Sequence, residues 1–244
     1  ANEATPDDGK DPAAVVLGKK GASRIFIVRP PTQSITHAPV AADRGPLLLI
    51  LMRLMMLHRA PYRVLDFGGH FGEVSWNLTH YLPEGFALAW EVFDTLDVVR
   101  YAQHQRWSIG KRLLSDWSEV HGHYDLVLAS NSLQFTDEPA ATWRQLADLD
   151  ARHLLLHDLS VADVEEDVRT LTERSWRERL DPRLWGRWQS RPIWWLNRAQ
   201  WKHRVTQPPW RCILEYESGN VRQFRRQKMM GVSWLLQPSA RGSD

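Results

Sequence analysis

RVLDFGGHFGEVSWNL, running from Arg63 to Leu78, is the stretch whose reading decides the fold. Val64-Leu65-Asp66-Phe67 is a short apolar run of strand character. It leads straight into Gly68-Gly69-His70-Phe71-Gly72, and an amphipathic helical pattern begins at Glu73. A buried strand, a glycine turn and a helix start form the unit with which α/β folds hold nucleotide-like ligands. The glycines let backbone approach the ligand closely, and the helix start presents unpaired N–H groups. The glycines do not have the G-x-G-x-x-G spacing of dinucleotide sites. Taken alone, the stretch also suits a plain glycine turn between any strand and helix.

Outward from this unit the pattern alternates. Strands are predicted at Arg63 to Phe67, Phe86 to Val92, Arg112 to Ser115, Tyr124 to Ala129 and Arg152 to Leu156. Helices are predicted between them at Glu73 to Tyr81, Leu96 to Gln105 and Pro139 to Leu149. Continuous apolar strands separated by helices point to an α/β fold, Rossmann-like, with a central mostly parallel sheet covered by helices on both faces. After Val161 the rhythm breaks. A charged helix is expected from Val161 to Leu180, leading into a Trp-rich cap. Two strands, Cys212 to Tyr216 and Gly231 to Leu236, joined by polar Ser218 to Gln227, close the sheet as an antiparallel hairpin. The organisation read from this is a flexible tail (1–23), a core (24–160), a helical Trp/Arg-rich cap (161–210), two closing strands (211–238) and a short tail (239–244). Arg24 to Val28 reads as a short strand. The apolar run Gly45 to Arg59 reads as a buried helix, since it is too short to span a bilayer and carries Arg53 in its middle.

The whole chain sets loose bounds. Its 244 residues suffice for one sizeable core, and 43% hydrophobic with 25% charged residues is ordinary for a globular protein. A net charge of +2 makes no global case for nucleic acid or a membrane surface. The single cysteine, Cys212, excludes an internal disulfide and a multi-cysteine zinc site. With no signal-peptide pattern at the start, a cytoplasmic location is expected. His121 and His123 have metal-like spacing, but they stand in a turn without further ligands, and no metal site is assigned.

The Asp66-Phe67-Gly68-Gly69 element resembles the first motif of class I S-adenosylmethionine (SAM) methyltransferases. Together with Ser132-Leu133-Gln134-Phe135, the HLLLHDL run and the aromatic RPIWWLN run, it resembles one group of bacterial methyltransferases, largely uncharacterised and often encoded near surface-polysaccharide genes. The match covers roughly residues 45–237. The resemblance implies SAM as cofactor, bound through Asp66, Phe67, Gly68, Gly69, His70 and Gly72, with Glu91 on the ribose hydroxyls. Asp116 and Trp117 would then stand near the adenine, and Ser130, Asn131 and Ser132 near the reacting end; the plainer alternatives are a solvated strand-end charge for Glu91 and a helix or turn cap for Asp116. One departure matters: His70 takes the place of the middle glycine of the loop, where a side chain either points away from the ligand or fills its space.

For chemistry, His157 and Asp158 at the end of the fifth strand are the catalytic candidates. Histidine titrates near neutrality and could take a proton from a hydroxyl acceptor; helix capping for Asp158 and a core position for His157 are the plainer alternatives. The loop after Ala129 lacks the Asn-Pro-Pro-aromatic element of amino-group methyltransferases, which favours oxygen. Seven of the thirteen tryptophans fall between Trp176 and Trp210, interleaved with arginines. They suit both acceptor recognition and a small core; Gln134, Trp194 and Trp195 are the acceptor-side candidates. The expected activity is O-methylation of a sugar or other small acceptor, with nucleic acid not favoured as a partner. The alternative is a catalytically inactive scaffold of the same fold, or an RNA-associated assembly protein.

Overall fold

A computed structural model describes residues 45–57, 61–104, 111–175, 188–224 and 227–239. The described elements, in order, are α1 (Gly45–Met56), β1 (Tyr62–Phe67), α2 (Glu73–Thr79), β2 (Leu88–Phe93), α3 (Leu96–His104), β3 (Lys111–Leu114), β4 (Leu126–Ser130), α4 (Pro139–Ala147), β5 (Leu154–Ala162), β6 (Val168–Ser175), β7 (Trp188–Asn197), α5 (Arg198–Val205), β8 (Trp210–Phe224) and β9 (Gln227–Pro238). Strands β3-β2-β1-β4-β5 pair in parallel in that order. β9 lies antiparallel on β5, and β8 antiparallel on β9. The strand order reverses between β1 and β4, which is where open α/β sheets leave a crevice at their carboxyl ends.

Both faces of the sheet are buried, and the strands show why they had to be apolar throughout. Val64, Leu126, Leu128, Leu155 and Leu235 pack on one face against Leu47, Leu48, Leu51, Leu54 and Met55 of α1, a stripe at helical spacing. Their neighbours Leu65, Val127, Leu154, Leu156 and Trp234 face the other way, onto Trp143 and Leu146 of α4 and Trp201 and Val205 of α5.

The expected architecture is present, with one class of error. The helix expected from Val161 to Leu180 is absent over its described part, Val161 to Ser175, and 176–180 lies outside the described residues. β5 runs on to Ala162, and Val168–Ser175 forms β6, paired residue by residue with β7. Charged residues suggested a solvated helix. Val168 and Thr170 instead alternate as a strand does, and pairing with Trp195 and Ile193 outweighs local propensity. Among the described residues the cap is the antiparallel β6–β7 hairpin followed by the short α5, and 176–187 lies outside them. β8 and β9 are also longer than expected, so Ser218 to Phe224 is strand rather than connecting loop. Arg24 to Val28 and the two tails, save Ser239, lie outside the described residues.

β7 joins the sheet in an informative place. It pairs in parallel with Val161 and Ala162 only, on the side of β5 that β4 flanks lower down. The hairpin thus stands beyond the carboxyl end of β4, over the crevice side of the sheet.

Leu51 is fully buried between α1 and the strands. Leu51→Ala is expected to lower stability by about 2–5 kcal/mol, read from urea unfolding; an unchanged midpoint would contradict the docking of α1 on this face.

Candidate functional site

The glycine loop is tied down on every side. Gly68 has φ 64°, and a Cβ there would lie 2.4 Å from the Ser132 Cβ. Ser132 Oγ also donates to the Phe67 carbonyl at 2.8 Å, so the loop after β4 is fastened to the end of β1. A Cβ on Gly69 would lie 2.4 Å from the Asp66 carboxyl carbon, and one on Gly72 (φ 74°) 2.7 Å from the Lys111 side chain. His70 takes φ 57°, a left-handed conformation that costs a residue with a Cβ roughly 1–2 kcal/mol. Its ring lies 3.8 Å from the Phe71 ring, and its Nδ1 is 3.5 Å from Glu73 Oε1, so it turns toward the first turn of α2.

Asp66 sits beneath this loop with no exposure. One carboxylate oxygen accepts Trp90 Nε1–H at 3.1 Å; the other has no hydrogen-bond partner among the described residues. Burial pushes its pKa up to about 7, and burial likewise holds the nearby Lys111 below the usual lysine range. Enclosed in this way, Asp66 supports the loop from below.

The second acid is not where the sequence suggested. Glu91 lies within β2 and its carboxylate leans toward the amino ends of the strands. There it accepts from Arg63 Nη2 at 2.7 Å and the Tyr124 hydroxyl at 2.8 Å. Burial, then Glu91, push the Tyr124 pKa up to about 12, so Tyr124 keeps the proton it donates. The carboxylate at the end of β2 belongs to Asp94: Oδ2 accepts His70 N–H at 2.9 Å and Oδ1 accepts Thr95 N–H at 2.7 Å. Asp94 was legible as the acid that follows the last apolar residue of the strand and precedes Thr95 and a helix; setting the strand end one residue early hid it.

At the tip of β3, Asp116 is an exposed turn cap, accepting Ser118 N–H at 2.9 Å, and that hydrogen bond draws its pKa below the usual carboxylate range. Trp117 packs 4.5 Å from the Phe93 ring and 5.8 Å from the Phe67 ring. Three strand tips therefore share one aromatic cluster beside Asp94.

Past β4, Asn131 takes φ 51°, and within β5 Asp158 takes φ 53°. Gln134, expected on the acceptor side, is instead wholly buried. Its Nε2 donates to Asn131 Oδ1 at 2.6 Å and reaches the Asp158 carbonyl at 3.4 Å, making it a strut between the two loops. His157 and Asp158 form a bulge of β5 opposite Ser233 of β9, not a strand end. His157 Nδ1 is 2.8 Å from the Tyr216 hydroxyl and 3.0 Å from Ser233 Oγ, and Ser233 Oγ accepts Asp158 N–H at 3.1 Å. Tyr216 and Ser233 escaped the sequence reading because β8 and β9 looked like closing strands only.

The tryptophans divide. Trp195, Trp201 and Trp210 are buried core, which removes Trp195 from the acceptor side. Trp194 is half-buried: its Nε1 donates to the Thr136 carbonyl at 3.1 Å, and the Arg169 guanidinium lies 5.7 Å from its ring. It links the hairpin to the loop after β4.

No protein-family model matches the chain, and no curated protein matches it. Solved structures do. The N-terminal domain of EvdMO1, crystallised in the presence of SAH and D-fucose, is similar at 14% identity, over 82% of this chain and 84% of that one, with TM-score 0.51. So is the 1,6-didemethyltoxoflavin-N1-methyltransferase of Burkholderia thailandensis with bound 1,6-didemethyltoxoflavin and S-adenosylhomocysteine, at 15% identity, 81% and 79% coverage and TM-score 0.51. A SAM-dependent methyltransferase from Clostridium acetobutylicum matches at 10% identity, 82% and 93% coverage and TM-score 0.52. The chain has the class I methyltransferase fold. At such identities the likeness is one of fold, and no helix among the described residues is long and apolar enough to cross a membrane.

Within this class I fold, the buried acid makes a stability prediction. The Asp66 pKa is raised on folding, so the folded state binds the extra proton, and Asp66 weakens stability progressively as pH rises from about 4 to about 7. Asp66→Asn removes that term. Relative to wild type it is expected to gain on the order of a few kcal/mol between pH 4 and pH 8, measured by chemical denaturation at each pH. A difference that stays flat across this range would contradict the uncompensated burial of Asp66.

Proposed function

We propose that this chain is a SAM-dependent methyltransferase acting on oxygen of a sugar or another small acceptor. The observation that carries the reading is the junction of the glycine loop with Asp94. The loop offers bare backbone at Gly68, Gly69 and Gly72, and His70 N–H ties it to a carboxylate standing at the end of β2. A carboxylate has about four lone-pair sites, so Asp94 retains capacity for two vicinal hydroxyls beyond its two backbone donors. A cradle that a Cβ would fill, an acid for a ribose and an aromatic cluster beside it fit SAM. The residues that would hold it are Gly68, Gly69, His70 and Gly72 through their backbone, Asp94, Trp117 with Phe67 and Phe93, and Ser130 to Ser132. Asp66 and Glu91 move to supporting roles.

Bound SAM supplies an activated methyl group on a sulfonium. What this chain adds is position, exclusion of water and a place for a proton. The β6–β7 hairpin and the loop after β4, joined through Trp194 and Thr136, wall the crevice. Oxygen is favoured over nitrogen by the imidazole and hydroxyl cluster at His157, because a hydroxyl acceptor must lose its proton whereas an amine need only arrive neutral. A saccharide acceptor is supported by the resemblance to the bacterial group near surface-polysaccharide genes and by the D-fucose used with the EvdMO1 domain.

A second reading, a non-catalytic scaffold or RNA-associated assembly protein, draws on one observation: a side chain at His70, in the left-handed position of the loop. Calorimetry separates the two. Micromolar SAM binding is expected, with Asp94→Ala weaker by about 1–3 kcal/mol. Glu91→Gln is expected to lower stability yet leave affinity within about twofold, since what it disturbs is the network with Arg63, Arg112 and Tyr124. No binding at millimolar SAM would support the scaffold.

A further inference from the structure

We infer that the residue meeting the methyl acceptor is Tyr216, as a hydroxyl-binding group, with His157 standing behind it as the proton acceptor. The inference rests on the methyltransferase reading above and assigns its acceptor side.

Position supports it first. Ser130 pairs with His157 across β4 and β5, the β5 bulge sets His157 and Asp158 against Ser233, and Ser233 pairs with Tyr216 across β9 and β8. These residues therefore form a row at one level of the sheet, running from the loop after β4 to the last strand. The neighbours two residues back, Leu155 and Leu235, lie in the core under α1, so the row tops that covered face. Ser132, two residues past Ser130, touches the glycine loop at Gly68.

Burial then distinguishes the members. His157 is 5% exposed, Ser233 0% and Asp158 9%, whereas Tyr216 is only half-buried. A group enclosed to that degree cannot itself reach an acceptor, whereas the Tyr216 side chain is in part open to solvent.

Hydrogen bonding gives the direction of proton flow. Ser233 Oγ accepts Asp158 N–H. Burial raises the Tyr216 pKa, against a lowering by the Ser233 hydroxyl and with the Asp158 charge adding to the rise, so the side chain remains a phenol with a proton to give. That proton is assigned to His157 Nδ1, 2.8 Å away and also 3.0 Å from Ser233 Oγ, an assignment that requires neutral His157 to be the Nε2–H tautomer. The phenol oxygen keeps lone pairs that accept an incoming O–H. As the acceptor oxygen forms its bond to the methyl carbon, its proton passes to the Tyr216 oxygen and the phenol's own proton passes to Nδ1. The electron pair of the broken carbon–sulfur bond stays on sulfur. The acceptor class this suits is an alcohol, such as a sugar hydroxyl, because an amine arriving neutral needs no such relay.

The test uses the full chain. Imidazole nitrogen NMR of wild type is expected to show neutral His157 as the Nε2–H tautomer, with Tyr216→Phe giving a mixture. Diethylpyrocarbonate is expected to modify His157 at least tenfold more slowly than exposed His121, and Tyr216→Ala to abolish that protection. With SAM and a mixture of free hexoses, Tyr216→Phe is expected to release S-adenosylhomocysteine at least tenfold more slowly while SAM affinity stays within twofold. A wild-type Nδ1–H tautomer, His157 reacting as fast as His121, or undiminished turnover by Tyr216→Phe overturns the assignment. If wild type fails to bind SAM, the methyltransferase reading itself falls, and the two histidine measurements still report on whether Tyr216 screens His157.

Discussion

The contact between Gly68 and Ser132 is the constraint on which the rest depends. Two loops leave adjacent parallel strands, β1 and β4, and meet so closely that no Cβ fits at Gly68. Ser132 Oγ closes the joint by donating to the Phe67 carbonyl. From that joint a continuous run of polar contacts crosses the sheet. Gln134 braces Asn131 and the Asp158 carbonyl, Asp158 N–H holds Ser233, and Ser233 and Tyr216 flank His157. A shift of the glycine loop would be felt along that run, because Gln134, His157, Asp158 and Ser233 are all buried.

Strain is distributed in the same place. Among the described residues, the non-glycine positions with positive φ are His70, Asn131 and Asp158. They follow β1, follow β4 and form the bulge of β5, and these three strands are neighbours at the crevice. Side chains in that region of backbone space persist only where surrounding structure holds them, and such residues cluster at functional sites. Each has an identifiable hold: Asp94 on the His70 N–H, and Gln134 on both Asn131 and Asp158. The bare glycines and these strained residues thus converge on one crevice, independently of any likeness to other structures.

The parallel half of the fold was legible because its strands are apolar on both faces and its loop glycines have a single backbone reason to be there. The site was legible only in part. Asp66 and Glu91 were visible as acids at the right spacing, but sequence cannot show which way a carboxylate leans. Asp66 turns under the loop onto Trp90, and Glu91 turns back to Arg63. Asp94 needed a strand boundary correct to one residue. Tyr216 and Ser233 come from strands remote in sequence, and only β-pairing brings them to His157. The stretch Val161 to Ser175 misled because its charges read as a helix face, while the pairing of Val168 to Ser175 with β7 lies outside any local window.

The account is tested most directly by a crystal structure of the full chain grown with S-adenosylhomocysteine. It predicts the ligand lying over the turn from Gly68 to Gly72, with both ribose hydroxyls on the Asp94 carboxylate and the His70 ring still against Phe71. A crevice in which the His70 imidazole fills that space and no ligand is bound would contradict it.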